Sequence, residues 1–187
     1  MEKETNRDNK ALNEYGIIYL SGEINNGTAE AISKEIIEHN IKGDVSQMQF
    51  IINSPGGKCS AGFSIIDIME WSRIPIYTTG IGMIASMGLL IFMTGEMGHR
   101  VITARTSVLS HRFSAVNIGN HSQLIAGRKE EDMTHERVIQ HYITYSKIKE
   151  TAELEGYLLR DVDTWLTPEE TVQFGLADIV ESSRKRS

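Results

Sequence analysis

The chain has 187 residues, and its 19 Lys and Arg against 25 Asp and Glu give a net charge of −6. With 40% hydrophobic and 24% charged residues it has the composition of a globular protein, not of a fibrous or mainly disordered one. The acidic balance without a basic block argues against nucleic acid as a partner, and the single cysteine, Cys59, excludes an internal disulfide or a Cys-rich zinc site.

The length suits one domain, bounded at 14–181 between a polar, flexible N-terminal segment (1–13) and a basic, flexible tail (182–187). Nothing in the first residues has the apolar region of a signal peptide. The most apolar run, Ile84 to Met93, is about ten residues, far short of the roughly 20 that span a bilayer. The expectation is therefore a cytoplasmic protein with no membrane contact. Sixteen glycines against three prolines point to a fold that needs permissive backbone at several places.

Gly16 to Leu20 forms a short apolar strand that stops at Gly22, and Asn26-Gly27 is a turn signal. Ala29, Ile32, Ile36 and Ile37 then recur at helical spacing. Met48 to Ile52 is a second strand, closed by the loop signal Asn53-Ser54-Pro55-Gly56-Gly57. Ala61, Ile65 and Met69 mark a second helix, and Ile74 to Thr79 a third strand, interrupted by Gly80 and Gly82. A helix from about Ser86 to Thr94 follows, then short strands at His99 to Thr103 and Ser107 to Leu109. The region from about Asn120 to Glu153 has the pattern of one long polar helix with an apolar stripe of Val138, Ile139, Tyr142 and Tyr145. Such a stripe packs either on a partner subunit or on its own domain. Thr167-Pro168-Glu169-Glu170 is a capping box with proline at the first helical position, and Gly175 ends that helix. Strands alternating with amphipathic helices predict an α/β fold with helices covering the sheet, in which chemistry gathers at the carboxyl ends of strands.

Ser86 lies at such an end, among small residues in Gly80-Ile81-Gly82-Met83-Ile84-Ala85-Ser86-Met87-Gly88. A serine opening an apolar helix is either a plain N-cap or a nucleophile beside free backbone N–H groups that stabilise an oxyanion. A nucleophilic serine needs a base and a carboxylate to orient it. His111 follows the Ser107 to Leu109 strand and Asp163 precedes the capped helix, but spacing alone does not unite the three. His135-Glu136 and His141 do not form a zinc motif, because six residues turn the second imidazole about 120° away on a helix. No metal or cofactor is expected. Cys59 has no adjacent base and reads as a small hydrophobe, and the methionines near Ser86 either fill core gaps or line a peptide groove. Asn53 to Gly57 lacks the G-K-[ST] ending of a phosphate loop. Its paired glycines mark a backbone approached closely by a ligand or another strand.

Taken in order, Ile52-Asn53-Ser54-Pro55-Gly56-Gly57, Ala85-Ser86-Met87-Gly88, His111, Asp163, Leu166-Thr167-Pro168-Glu169-Glu170 and Phe174-Gly175-Leu176-Ala177-Asp178 resemble the proteolytic subunit family of the Clp protease from about Gly16 to Val180. The resemblance implies a crotonase-like α/β fold and a serine endopeptidase acting on peptides and unfolded proteins. It makes Ser86 the nucleophile, His111 the general base and then acid, and Asp163 the orienting carboxylate. The N–H groups of Gly57 and Met87 form the oxyanion hole, and the chain after Gly57 holds substrate as an added strand. It further implies self-association into a seven-membered ring, two of which stack around a chamber, with the Val138 to Tyr145 helix as the handle between rings. An AAA+ unfoldase is the implied partner and the only user of ATP. Arg112-Phe113 stand where the family has Gln-Pro, and Val162 stands where it has an arginine that links the rings. The stretch between His111 and Asp163 is a few residues longer, and the segment before the first strand is short and polar. Three other readings compete. One is an inactive structural ring subunit. Another is a signal-peptide-peptidase-like Ser–Lys protease, disfavoured because no lysine lies between Ser86 and His111. The last is a crotonase acting on acyl-CoA, against which the Ser/His/Asp set argues.

Overall fold

The computed structural model describes residues 11–182. Most of the proposed N-terminal segment (1–10) and most of the basic tail (183–187) lie outside the described residues. In chain order the elements are β1 (Ile17–Ser21), α1 (Asn26–Lys42), β2 (Met48–Ser54), α2 (Cys59–Trp71), β3 (Ile76–Ala85), α3 (Met87–Met93), β4 (Arg100–Thr103), β5 (Ser107–Ser110), α4 (His121–Tyr145), α5 (Thr151–Tyr157), β6 (Thr164–Leu166), α6 (Pro168–Gln173) and β7 (Ile179–Glu181).

The sheet runs β1-β2-β3-β4-β7, all parallel. Burial follows the two-residue period of a strand. Ile18, Leu20, Met48, Phe50, Ile52 and Ile76 are buried in one core with Ile32 and Ile36 of α1, Ile65 and Met69 of α2, and the whole of α3. The intervening Tyr19, Ile51, Tyr77 and Thr79 stay partly or well exposed.

Asn26-Gly27 is not a turn but the first helical pair of α1. Asn25 caps that helix, its Oδ1 accepting from the Gly27 and Thr28 N–H groups at 2.9 and 3.1 Å, while Thr28 Oγ1 accepts from the Asn25 N–H. A side-chain cap satisfies N–H groups that a free turn leaves to water, so the helix wins. The expected helix from Asn120 to Glu153 is two helices. It starts at a capping box of Asn120 and Gln123 and breaks at Ser146, which is extended (ψ 179°). There the Lys147 N–H leaves the helix for the Phe174 carbonyl. The capping box at Thr167 and the left-handed Gly175 after α6 are as the sequence predicts. Two three-residue strands, β6 and β7, are added by pairing with β5 and β4.

Strand β3 also differs from expectation, and the difference builds the site. It does not stop at Gly80 but continues to Ala85. Between Ile52↔Gly80 and Ser54↔Ile84 the register with β2 slips, so β3 carries extra residues there. Gly82 sits in this bulge at φ 62°, and a Cβ on it would lie 2.8 Å from Asn53 Oδ1, which accepts from the Met83 N–H. The bulge re-aims the strand. Before it, Thr78 to Gly80 pair with β4; after it, Met83 to Ala85 pair in parallel with β5.

Candidate active site

That fork places Ser86. It follows β3 directly, and its N–H donates to the Leu109 carbonyl of β5 at 3.0 Å. Ser86 has φ 55° and ψ −125° and is the only non-glycine residue with positive φ among the described residues. Its side chain makes no capping hydrogen bond to α3, which removes the plain N-cap as the reason for a serine here. A left-handed serine costs about 1–3 kcal/mol and persists only where the surroundings enforce it. They do so here: Ala85 is fixed in the β5 ladder on one side, and the Ser86 carbonyl accepts from Leu89 and Leu90 on the other. Such a sharp strand-to-helix turn lifts a side chain out of the sheet end.

Gly56 makes room for the turn. A Cβ on it would fall 2.7 Å from Ser86 Cβ and 2.8 Å from the Ala85 carbonyl oxygen, and its φ of 94° also disfavours any side chain. Gly57, next in the chain, forms a parallel bridge with Ile24: the Ile24 N–H donates to Gly56 and the Lys58 N–H donates to Ile24. In a parallel bridge one residue makes both hydrogen bonds, to the neighbours of the other; here Ile24 makes them, so the N–H and C=O of Gly57 point away from Ile24. Met87 buries its side chain against Gly62 of α2, while its N–H is the first of α3. Neither the Gly57 nor the Met87 N–H has a backbone acceptor among the described residues.

The remaining candidates arrive by register. Ala85 pairs with Leu109, so Ser86 and His111 extend two adjacent parallel strands beyond their last paired residues. Strand β6 lies antiparallel on the far side of β5 with Ser110 opposite Thr164, which sets Asp163 beside His111. Ser86, His111 and Asp163 thus stand in lateral order at the adjoining ends of β3, β5 and β6. His111 Nδ1 lies 3.9 Å from Asp163 Oδ1, beyond hydrogen-bond range. The Asp163 carboxylate is 61% exposed and the imidazole 28%. Among the described residues no hydrogen bond joins Ser86 Oγ to His111, and catalytic contacts of this kind are often long in the free protein.

The other sequence candidates lie elsewhere. Cys59 begins α2, half-buried, and burial followed by the Glu130 charge pushes its thiol up, away from thiolate. His141 is buried, with Nε2 donating to the Leu90 carbonyl at 2.9 Å; burial holds its pKa down at about 4. His135 instead packs near Phe113, and the two imidazoles share no site.

Sequence reasoning missed the groups behind His111. Ser110 Oγ and the Tyr142 hydroxyl are 2.7 Å apart, and Ser110 donates to the Leu158 carbonyl at 2.8 Å. Arg112 Nε donates to the Leu159 carbonyl at 2.7 Å. Beside them a cleft of about 320 Å³ opens between Arg112, Phe113, Arg128 and His135. Hydroxyl and guanidinium groups carry no periodic signal, and their carbonyl partners are 47 or 48 residues away.

The fold is α/β, with a serine held in a strained strand-to-helix turn at the end of a parallel sheet. The sequence profile of the Clp protease family matches residues 1–184, and the chain belongs to that family. It is similar to the ATP-dependent Clp protease proteolytic subunit of Leuconostoc citreum (strain KM20), at 29% identity over 87% of this chain and 80% of the relative. No helix among the described residues is long and apolar enough to cross a membrane.

Proposed function

We propose that this Clp family peptidase is a serine endopeptidase with Ser86 as nucleophile. His111 takes the hydroxyl proton and returns it to the leaving amine, and Asp163 orients and stabilises the imidazolium. The observation that carries the reading is the lateral order of the three residues at the adjoining ends of β3, β5 and β6, with Ser86 in the one left-handed non-glycine conformation among the described residues. Attack of Ser86 Oγ on a peptide carbonyl develops an oxyanion, for which the Gly57 and Met87 N–H groups are the proposed donors. Each such donor is worth ~10²–10³ in rate. The outward N–H and C=O of Gly57 also suit an extended peptide added beside it as a strand.

The active form we propose is a ring of seven copies, stacked in pairs around a chamber, in the cytoplasm. Support comes from the apolar groups left exposed on the loop before α4 and on its first half: Val116, Ile118, Leu124, Ile125 and Met133. The second half of α4 does something else. Val138, Ile139 and Tyr142 are buried in the chain's own core, so the stripe packs within the domain. An AAA+ unfoldase is the proposed source of unfolded substrate, with ATP used there and no cofactor here.

A fluorophosphonate probe is expected to label Ser86 in the wild type and not in Ser86→Ala. His111→Ala should lose hydrolysis of a fluorogenic peptide while native mass measurement still finds the assembly. Equal labelling of wild type and Ser86→Ala would end the nucleophile assignment. An intact ring without turnover would favour the structural-subunit reading.

A further inference from the structure

We propose that Arg112 is a positioning residue that holds the Asp163 segment against His111, an inference that rests on the triad proposed above. The two residues flanking His111 grip consecutive carbonyls of another element: Ser110 donates to Leu158 and Arg112 to Leu159. Leu158 caps the C-terminus of α5 and Leu159 is the residue after it, and both return their N–H groups to the Leu154 carbonyl. Carbonyls at and just past a helix C-terminus have no partner within the helix, so a guanidinium is a strong ligand for them.

The chain from that grip to the carboxylate is short. Only Arg160, Asp161 and Val162 separate Leu159 from Asp163. At the far end Thr164 pairs with Ser110. Both anchors of the Asp163 segment are therefore residues adjacent to His111, one by side-chain bonds and one by the strand ladder. Arg112 extends the grip with NH2 3.5 Å from Glu155 Oε1 and NH1 3.5 Å from Asp161 Oδ1. The remaining freedom is the approach of Asp163 to His111, now at 3.9 Å. Relaxing the Leu159 anchor lets the carboxylate drift from a position already about 1 Å too far for a hydrogen bond.

The Arg112 side chain is 44% exposed, so Arg112→Gln is expected to fold. It should increase amide hydrogen exchange across Leu158 to Thr164. It should also lower kcat for a fluorogenic peptide by about 10–100-fold with KM unchanged, the scale of a 1 Å misplacement. In an Asp163→Asn background the same substitution should cost little more, because Arg112 acts through that carboxylate. Loss of kcat of equal size in both backgrounds would overturn the role, as would wild-type exchange and kcat in Arg112→Gln. If the wild type itself shows no Ser86-dependent fluorophosphonate labelling, the triad falls and the positioning role with it. Labelled wild type with an unaltered Arg112→Gln removes the positioning role alone.

Discussion

His111 Nδ1 and Asp163 Oδ1 face each other 3.9 Å apart, too far for a hydrogen bond. A shift of about 1 Å in either side chain engages them. Asp163→Asn keeps the shape and removes the charge proposed to stabilise an imidazolium. We expect kcat for a fluorogenic peptide to fall by about 10²–10⁴-fold, with the upper figure typical of a fully engaged triad. Unchanged turnover would take Asp163 out of the mechanism.

Ser86 holds φ 55°, a conformation that only glycine adopts at no steric cost. Ser86→Gly and Ser86→Ala should both abolish hydrolysis, but the glycine variant should be more stable than the alanine one by about 1 kcal/mol. Urea midpoints of the two variants measure the difference. Coincident midpoints would mean that no strain is stored at the turn.

Gly56 faces the same turn from below. Gly56→Ala drives a methyl to 2.7 Å from Ser86 Cβ and into a left-handed φ. The expected cost is about 2 kcal/mol or more in folding stability. The folded fraction should label more slowly with fluorophosphonate, since the turn has to move. A variant with wild-type stability and labelling rate would contradict the packing.

His141 gives the protein an acid sensitivity of calculable sign. Its folded pKa of about 4 lies below the ordinary 6.5, with burial as the main cause. Above pH 6.5 the ring is neutral in both states and costs nothing. As pH falls from 6.5 toward 4, the unfolded chain binds a proton that the folded chain refuses, and stability drops by up to about 3 kcal/mol. His141→Gln keeps a donor for the Leu90 carbonyl and cannot titrate. The difference between its stability and that of the wild type should shrink or reverse across this window, and a pH-independent difference would show that His141 does not titrate on unfolding.

Arg100 and Asp178 explain why a charged residue ends the Phe174-Gly175-Leu176-Ala177-Asp178 motif. The Arg100 guanidinium is 2% exposed and grips Asp178 through Nε at 2.9 Å and NH2 at 2.6 Å, while donating to the Tyr145 and Gly175 carbonyls. Burial pushes the Asp178 carboxyl up, but the Arg100 bonds outweigh it and hold it below its usual range. Asp178→Asn strands a buried cation, and we expect a loss of about 3 kcal/mol in chemical denaturation. The change should be smaller when Arg100→Met is added, and a fully additive pair would argue against direct coupling.

Much of the site's material was legible from local chemistry. The Pro55 to Gly57 part of the expected loop, the serine after a strand and the capping box at Thr167 each depend on neighbours within about five residues, where turn and cap rules operate, whereas Asn53 and Ser54 prolong β2. The same rules misread Asn26-Gly27, because the cap that overrides the turn comes from Asn25 and Thr28 together. They also let β3 end early, because a bulge needs a partner strand to be recognised.

By itself, the sequence determined the α/β alternation and the residue types able to perform acyl transfer, since periodicity and side-chain chemistry are properties of the chain. Whether those residues meet was decided only in the tertiary structure. Strand register brings together groups 25 and 52 residues apart: the Gly82 bulge swings β3 onto β5, and β6 pairs on the other side of it. Burial made the Val138 to Tyr142 stripe core and left Val116 to Ile125 outside. A stripe pattern records that a face is apolar; only packing determines what covers it.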